Sequence, residues 1–106
     1  MASQSINVTL EQDRATVTLS GEHEAYTADK LAKNLSGLIT EGVPVTIDLR
    51  QTEFIDSTVV GVLLAAQRRA DEARLDFRLV LGPQTGWPVQ RMLEVTGLIS
   101  SFHVVQ

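Results

Sequence analysis

The 106-residue chain contains no cysteine. That excludes a disulfide framework and any thiolate metal site, and it makes a reducing cytoplasm the expected setting. Histidine is scarce as well. His23 and His103 lie far apart in sequence and make a poor start for a zinc site. No apolar run approaches the ~20 residues of a membrane span, so membrane insertion is not expected. The opening Met1-Ala2-Ser3-Gln4-Ser5 lacks the features of a signal peptide.

Positive charge is the next shortage. Nine Lys and Arg stand against thirteen Asp and Glu, for a formal net charge of −4. Residues 11–56 carry nine acids and four bases, whereas residues 57–106 carry four acids and five bases. A phosphate backbone needs a basic footprint, so no direct nucleic-acid partner is expected. A protein with some basic surface suits the acidic half better.

Catalytic motifs are missing too. There is no P-loop and no Gly-x-Gly-x-x-Gly turn. No Gly-x-Ser-x-Gly elbow surrounds Ser57, and a triad there would need His23 or His103 to reach it. The loop Gly82-Pro83-Gln84-Thr85-Gly86 offers weak support for a nucleotide or lipid site, since Pro83 removes a backbone donor. The chain is therefore read as no enzyme, with no catalytic residue, no cofactor and no metal.

What is present fits one globular domain over residues 1–106. A hydrophobic fraction of 43% and a charged fraction of 21% suffice for a core without metal or disulfide staples. Ile6 to Leu10 and Ala15 to Leu19 alternate apolar with polar residues and predict a hairpin, ended by Gly21. Leu31, Leu35, Leu38 and Ile39 then fall at helical spacing, with Thr27 as the expected N-cap and Gly42 as the stop.

A third strand is expected from Val45 to Leu49, followed by a short polar hinge. A second helix runs from about Thr58 to Ala73, and a fourth strand from Phe77 to Leu81. Pro88 opens a third helix to Val95, stopped by Thr96-Gly97, and Phe102 to Val105 form the last strand. The order is β-β-α-β-α-β-α-β, an α/β fold whose mixed sheet joins its later strands through helices in parallel crossovers. Trp87, at the start of the third helix, could serve as an aromatic anchor in an interface but is expected to pack against its own core. Arg68, Arg69 and Arg74 are expected to form a solvated helix face.

The segment Phe54-Ile55-Asp56-Ser57-Thr58 carries the chemistry. It stands where a strand gives way to an apolar helix, and a hydroxyl there has two possible uses. It can cap the helix, worth roughly 1 kcal/mol, or it can accept a phosphate, which the helix dipole favours. Asp56 and Ser57 compete for the capping position, and only one is needed there. The other is free to face a partner. Val60, three residues on, rules out a capping box.

These residues resemble the phosphorylation segment of STAS domains, the fold of bacterial anti-sigma factor antagonists. Gly21-Glu22-His23-Glu24 is similar to that family's loop after the second strand. Arg91-Met92-Leu93-Glu94-Val95-Thr96-Gly97-Leu98 is similar to its segment at the end of the third helix. The resemblance implies a single STAS-like domain and a cytoplasmic signalling role in transcription regulation. It implies that Ser57 is phosphorylated by an anti-sigma factor that is itself a serine kinase. The unmodified form would bind that factor and release a sigma factor, and the phosphorylated form would not. Asp56, Thr58, Glu24, Val59 and Gly61 would form the partner-binding surface.

The sequence departs from the family in three places. Val59 stands where glycine is usual, and its β-branched side chain is expected to crowd an approaching kinase. His23 replaces an apolar residue. The chain also stops at Gln106, without room for the family's terminal helix. Val59 and the short C-terminus suit an alternative, a non-phosphorylated STAS subunit of a transporter complex or a signalling scaffold.

Overall fold

The computed structural model describes residues 4–95 and 103–105. The alternating segments pair first. Strands β1 (Ser5–Glu11) and β2 (Arg14–His23) form an antiparallel hairpin, with Val8 opposite Val17 and Leu10 opposite Ala15. Gln12 and Asp13 make the turn at φ 49° and 68°, which suits the right-handed twist of the strands. Helix and strand then alternate as α1 (Ala25–Thr40), β3 (Val45–Ile55), α2 (Ser57–Glu72), β4 (Phe77–Val80), α3 (Trp87–Val95) and β5 (His103–Val105).

The five strands lie in sequence order in one sheet, and β2 through β5 are parallel. The expected α/β order is therefore found. Successive right-handed crossovers in one direction put α1, α2 and α3 on one face. Accordingly Leu19, Ile47 and Leu79 of the sheet share a single buried cluster with Leu31, Leu63 and Leu93 of these helices. The same topology brings the N-termini of α1, α2 and α3 to one end of the sheet, at the C-terminal ends of the parallel strands.

The opposite sheet face is polar. Asp76 accepts hydrogen bonds from Arg14 at 2.6 Å and from Arg78 Nε at 2.9 Å. Burial pushes the Asp76 carboxyl up, but the hydrogen bonds from Arg14 and Arg78 outweigh it and hold the group below the usual aspartate range. Asp48 is likewise held low, chiefly by the Arg50 guanidinium, which donates Nε at 3.0 Å and a terminal nitrogen at 2.8 Å.

Several boundaries differ from expectation. Strand β3 does not stop at Leu49, and the predicted hinge continues as strand to Ile55. It can do so because β2 also continues past Gly21, through register shifts on either side of that glycine. Gly21, at φ 83°, makes an irregularity within the strand rather than ending it. Thr52 is fully buried there, its hydroxyl donating to the Leu19 carbonyl oxygen at 2.7 Å.

Gly42 does end α1. Its amide and that of Val43 donate to the Ile39 and Leu38 carbonyls, both at 3.0 Å, in a Schellman arrangement. Thr27 is not the N-cap, because α1 begins two residues earlier at Ala25. Residues 96–102, which include the predicted helix stop, part of the family-like segment and Phe102, lie outside the described residues.

Candidate functional site

The competition between Asp56 and Ser57 is resolved at the start of α2. Asp56 is the N-cap, and its Oδ1 accepts from the Val59 amide at 3.0 Å. Ser57 is the first helical residue and is exposed, and among the described residues its hydroxyl has no partner. An uncommitted hydroxyl thus stands at the positive end of a sixteen-residue helix.

Asp56 does more than cap its own helix. Its Oδ2 accepts from the amide of Ala25, the first residue of α1, at 3.1 Å. The N-cap of α1 is Glu24, whose side chain makes no capping bond. One carboxylate therefore serves two helix N-termini. The Asp56 amide also donates to the His23 carbonyl at 3.2 Å, and its carbonyl accepts from Val60 at 3.1 Å.

His23 supports this junction from beneath. It is buried, with Nε2 3.0 Å from the Ser20 carbonyl oxygen and Nδ1 3.0 Å from the Thr27 hydroxyl. A carbonyl can only accept, so Nε2 carries the proton. Each nitrogen of the buried imidazole thus lies within hydrogen-bond distance of a polar group, and the Thr27 hydroxyl also lies 3.2 Å from the Glu24 carbonyl oxygen.

A third helix start completes the surface. The Gly86 amide donates to the Thr52 carbonyl at 2.8 Å, and a Cβ built on Gly86 would lie 2.1 Å from the Glu53 carbonyl oxygen. Only glycine permits this approach, which draws the start of α3 onto the end of β3. Glu22, Glu24, Glu53, Phe54 and Pro88 consequently line one shallow groove. Trp87, beside it, is 72% exposed, and Tyr26, next to Ala25, is 88% exposed. The expectation of Trp87 in the core is thus corrected: α3 is anchored by Val89 and Leu93, leaving the indole outside.

Residues 6–104 match the family described as "Mlab, STAS domain". The chain belongs to the STAS-domain family. This STAS domain is 30% identical over 89 residues to the anti-sigma-B factor antagonist of Listeria monocytogenes, covering 83% of the chain and 75% of that protein. A crystal structure of an anti-sigma factor antagonist from Mycobacterium paratuberculosis superposes with a TM-score of 0.77 at 27% identity, covering 96% and 85% of the two chains. The Bacillus cell fate determinant SpoIIAA in its phosphorylated form shares the fold, with a TM-score of 0.75 at 16% identity and coverage of 96% and 92%.

The residues expected at the partner surface of this STAS domain separate into two groups. Asp56, Ser57, Thr58 and Glu24 meet at the junction of α1 and α2, and Gly61 lies exposed one turn along α2. Val59 does not belong with them. It is fully buried in the core, so it cannot contact a partner, and its inward side chain cannot crowd a kinase. The helical period turns Val59 away from the face that carries Ser57. Tyr26 was missed, and Trp87 was placed in the core rather than at an interface, because a lone aromatic at a helix start is more often core.

Two other readings change. Arg69 is exposed but not merely solvated, since it donates to Ser36 Oγ at 2.7 Å and Thr40 Oγ1 at 3.3 Å across α1. In the Gly82–Gly86 loop the Gly82 amide is taken by Thr85 Oγ1 at 3.0 Å and the Gly86 amide by Thr52. Those donors are already committed within the fold and unavailable to a phosphate. No helix among the described residues is long and apolar enough to cross a membrane.

Proposed function

We propose that this STAS domain is a cytoplasmic anti-sigma factor antagonist, switched by phosphorylation of Ser57. It works by binding rather than by catalysis. Unmodified, it binds an anti-sigma factor that is also a serine kinase and so frees a sigma factor; phosphorylated, it lets go. The observation that carries this reading is the exposed, unpartnered Ser57 hydroxyl beside an Asp56 that already does the capping.

The physical logic is local. A phosphate adds about −1.5 to −2 charges at pH 7, and a helix N-terminus tolerates that charge. The neighbourhood does not favour it inside an interface. Asp56 is adjacent, and Glu22, Glu24 and Glu53 line the groove nearby. Burying a phosphate among carboxylates against a docked partner costs repulsion and desolvation. The complex is thereby weakened while the fold survives.

The partner surface is then Glu24, Asp56, Ser57, Thr58 and Gly61, with Tyr26 and Trp87 as aromatic anchors. Such a surface calls for basic side chains and apolar contact on the kinase. The inward direction of Val59 removes one reason for preferring a non-phosphorylated transporter subunit.

Incubation with candidate anti-sigma kinases and ATP, followed by intact mass measurement, tests the proposal. One added phosphate on the wild type and none on Ser57→Ala is the expected result. Unmodified wild type, or equal modification of both, would overturn it.

A further inference from the structure

Strand β1 forms one edge of the sheet, and among the described residues no strand pairs with its outer side. Its sequence is symmetric in character about Val8. Ile6, Val8 and Leu10 share the helix-covered face with Leu19, Val17 and Ala15, while Ser5, Asn7, Thr9 and Glu11 point to the polar face. Ile6 packs against the core beside α1, but the helices leave the rest of this edge uncovered, with Val8 43% and Leu10 65% exposed. Exposed apolar side chains on an unpaired edge are a template for pairing unless something blocks them. Neither proline nor lysine occurs in β1.

We infer that β1 pairs antiparallel with β1 of a second copy, on a two-fold axis through Val8. Val8 then meets its own counterpart, and Ile6 of each copy meets Leu10 of the other. One continuous apolar stripe forms on the helix side, and polar residues meet polar residues on the opposite face. This is the self-complementarity that an isologous interface requires.

Charge agrees with that arrangement. The hairpin turn carries Glu11 and Asp13, while Arg14 beside them is engaged by Asp76. Antiparallel pairing lays this acidic end near Ser5 of the second copy, where Lys30 lines the same cleft. A parallel pairing would set acidic turn beside acidic turn. A seven-residue edge buries less than the ~1,200 Å² of a stable interface, so the dimer is weak and its population rises with concentration. The inference stands apart from the phosphorylation switch, since it uses neither Asp56 nor Ser57.

Because the chain lacks cysteine, a single introduced thiol reports the register cleanly. Opposed residues in an antiparallel pair have Cα atoms about 4.5–5.5 Å apart, within disulfide reach. Two copies of Val8→Cys treated with diamide, which takes up the two thiol protons and two electrons, should therefore cross-link across the axis. Asn7→Cys faces Thr9 of the other copy, so it should cross-link at least about tenfold more slowly, its two Cα atoms lying beyond the ~7 Å limit.

Sedimentation of the full chain from about 1 μM to about 1 mM should show a monomer–dimer equilibrium, weakened at least about tenfold by Val8→Lys. Circular dichroism checks that the variant is folded. Equal cross-linking of the two thiols would overturn the proposal. So would a wild type that stays monomeric throughout, leaving the edge to a strand of another protein, or a folded Val8→Lys that dimerises unchanged.

Discussion

The Asp56 carboxylate holds the backbone amide of Ala25 at 3.1 Å, across 31 residues of sequence. The same group holds Val59 at 3.0 Å, so the first turns of α1 and α2 share one anion. Each helix end presents unsatisfied N–H groups and a partial positive charge, and one side chain meets both demands. This pairing fixes the Glu24 loop beside Ser57.

Asp56→Ala should therefore destabilise the fold by about 1–2 kcal/mol, the upper part of the range for a lost N-cap. Asp56→Asn offers only one acceptor oxygen and should fall between wild type and alanine. Urea denaturation gives the energies. Amide hydrogen exchange should speed up at both Ala25 and Val59 in the alanine variant, the first of which no ordinary cap of α2 would affect.

At Ser57 the variants separate binding from folding. Ser57→Ala should bind the anti-sigma partner as tightly as wild type and stay bound in the presence of ATP. Ser57→Asp should bind at least about tenfold more weakly, which is about 1.4 kcal/mol. Their melting temperatures should differ little, since the side chain is exposed and unpartnered. Calorimetry with the purified partner measures the difference, and equal affinities would contradict the switch.

Gly61 tests whether the α2 surface is shaped for a partner. A Cβ built there meets nothing within 4 Å, so Gly61→Ala should stabilise the helix by about 1 kcal/mol. Partner binding should nevertheless weaken, because a methyl group then stands on the proposed contact face. A gain in stability together with undiminished binding would remove Gly61 from that surface.

The polar sheet face sets the acid limit of stability. Asp48 and Asp76 both titrate below the ordinary value of 3.8 in the folded state, through their arginine partners. A depressed folded value means that the stabilisation is complete above the unfolded aspartate range. It is lost as pH falls through that range and on through the folded value. Asp48→Asn should thus be less stable than wild type at pH 7, with the gap closing as pH falls below about 4. Urea midpoints measured across pH 2–7 would reveal a gap that fails to close.

Much of the fold was legible in the residues themselves. Alternation in Ile6–Leu10 and Ala15–Leu19 and helical spacing in Leu31–Ile39 report directly which face of each element meets apolar surroundings. The failures have a common cause. The stretch Gln51–Glu53 reads as a polar hinge, yet it is strand because β2 extends alongside it and supplies the hydrogen-bonding partners. Trp87 reads as core, but its exposure depends on how closely Gly86 lets α3 approach β3.

The site divides in the same way. The sequence alone determined that a strand ends and an apolar helix starts around Asp56-Ser57, since that follows from local periodicity and capping chemistry. Which of the two polar groups caps could not be read there, because either side chain can reach an unpaired amide of the same turn. Tertiary structure decided it by bringing Ala25 within reach of Asp56. A carboxylate has acceptor oxygens for two helix ends, and the serine hydroxyl is left to the solvent.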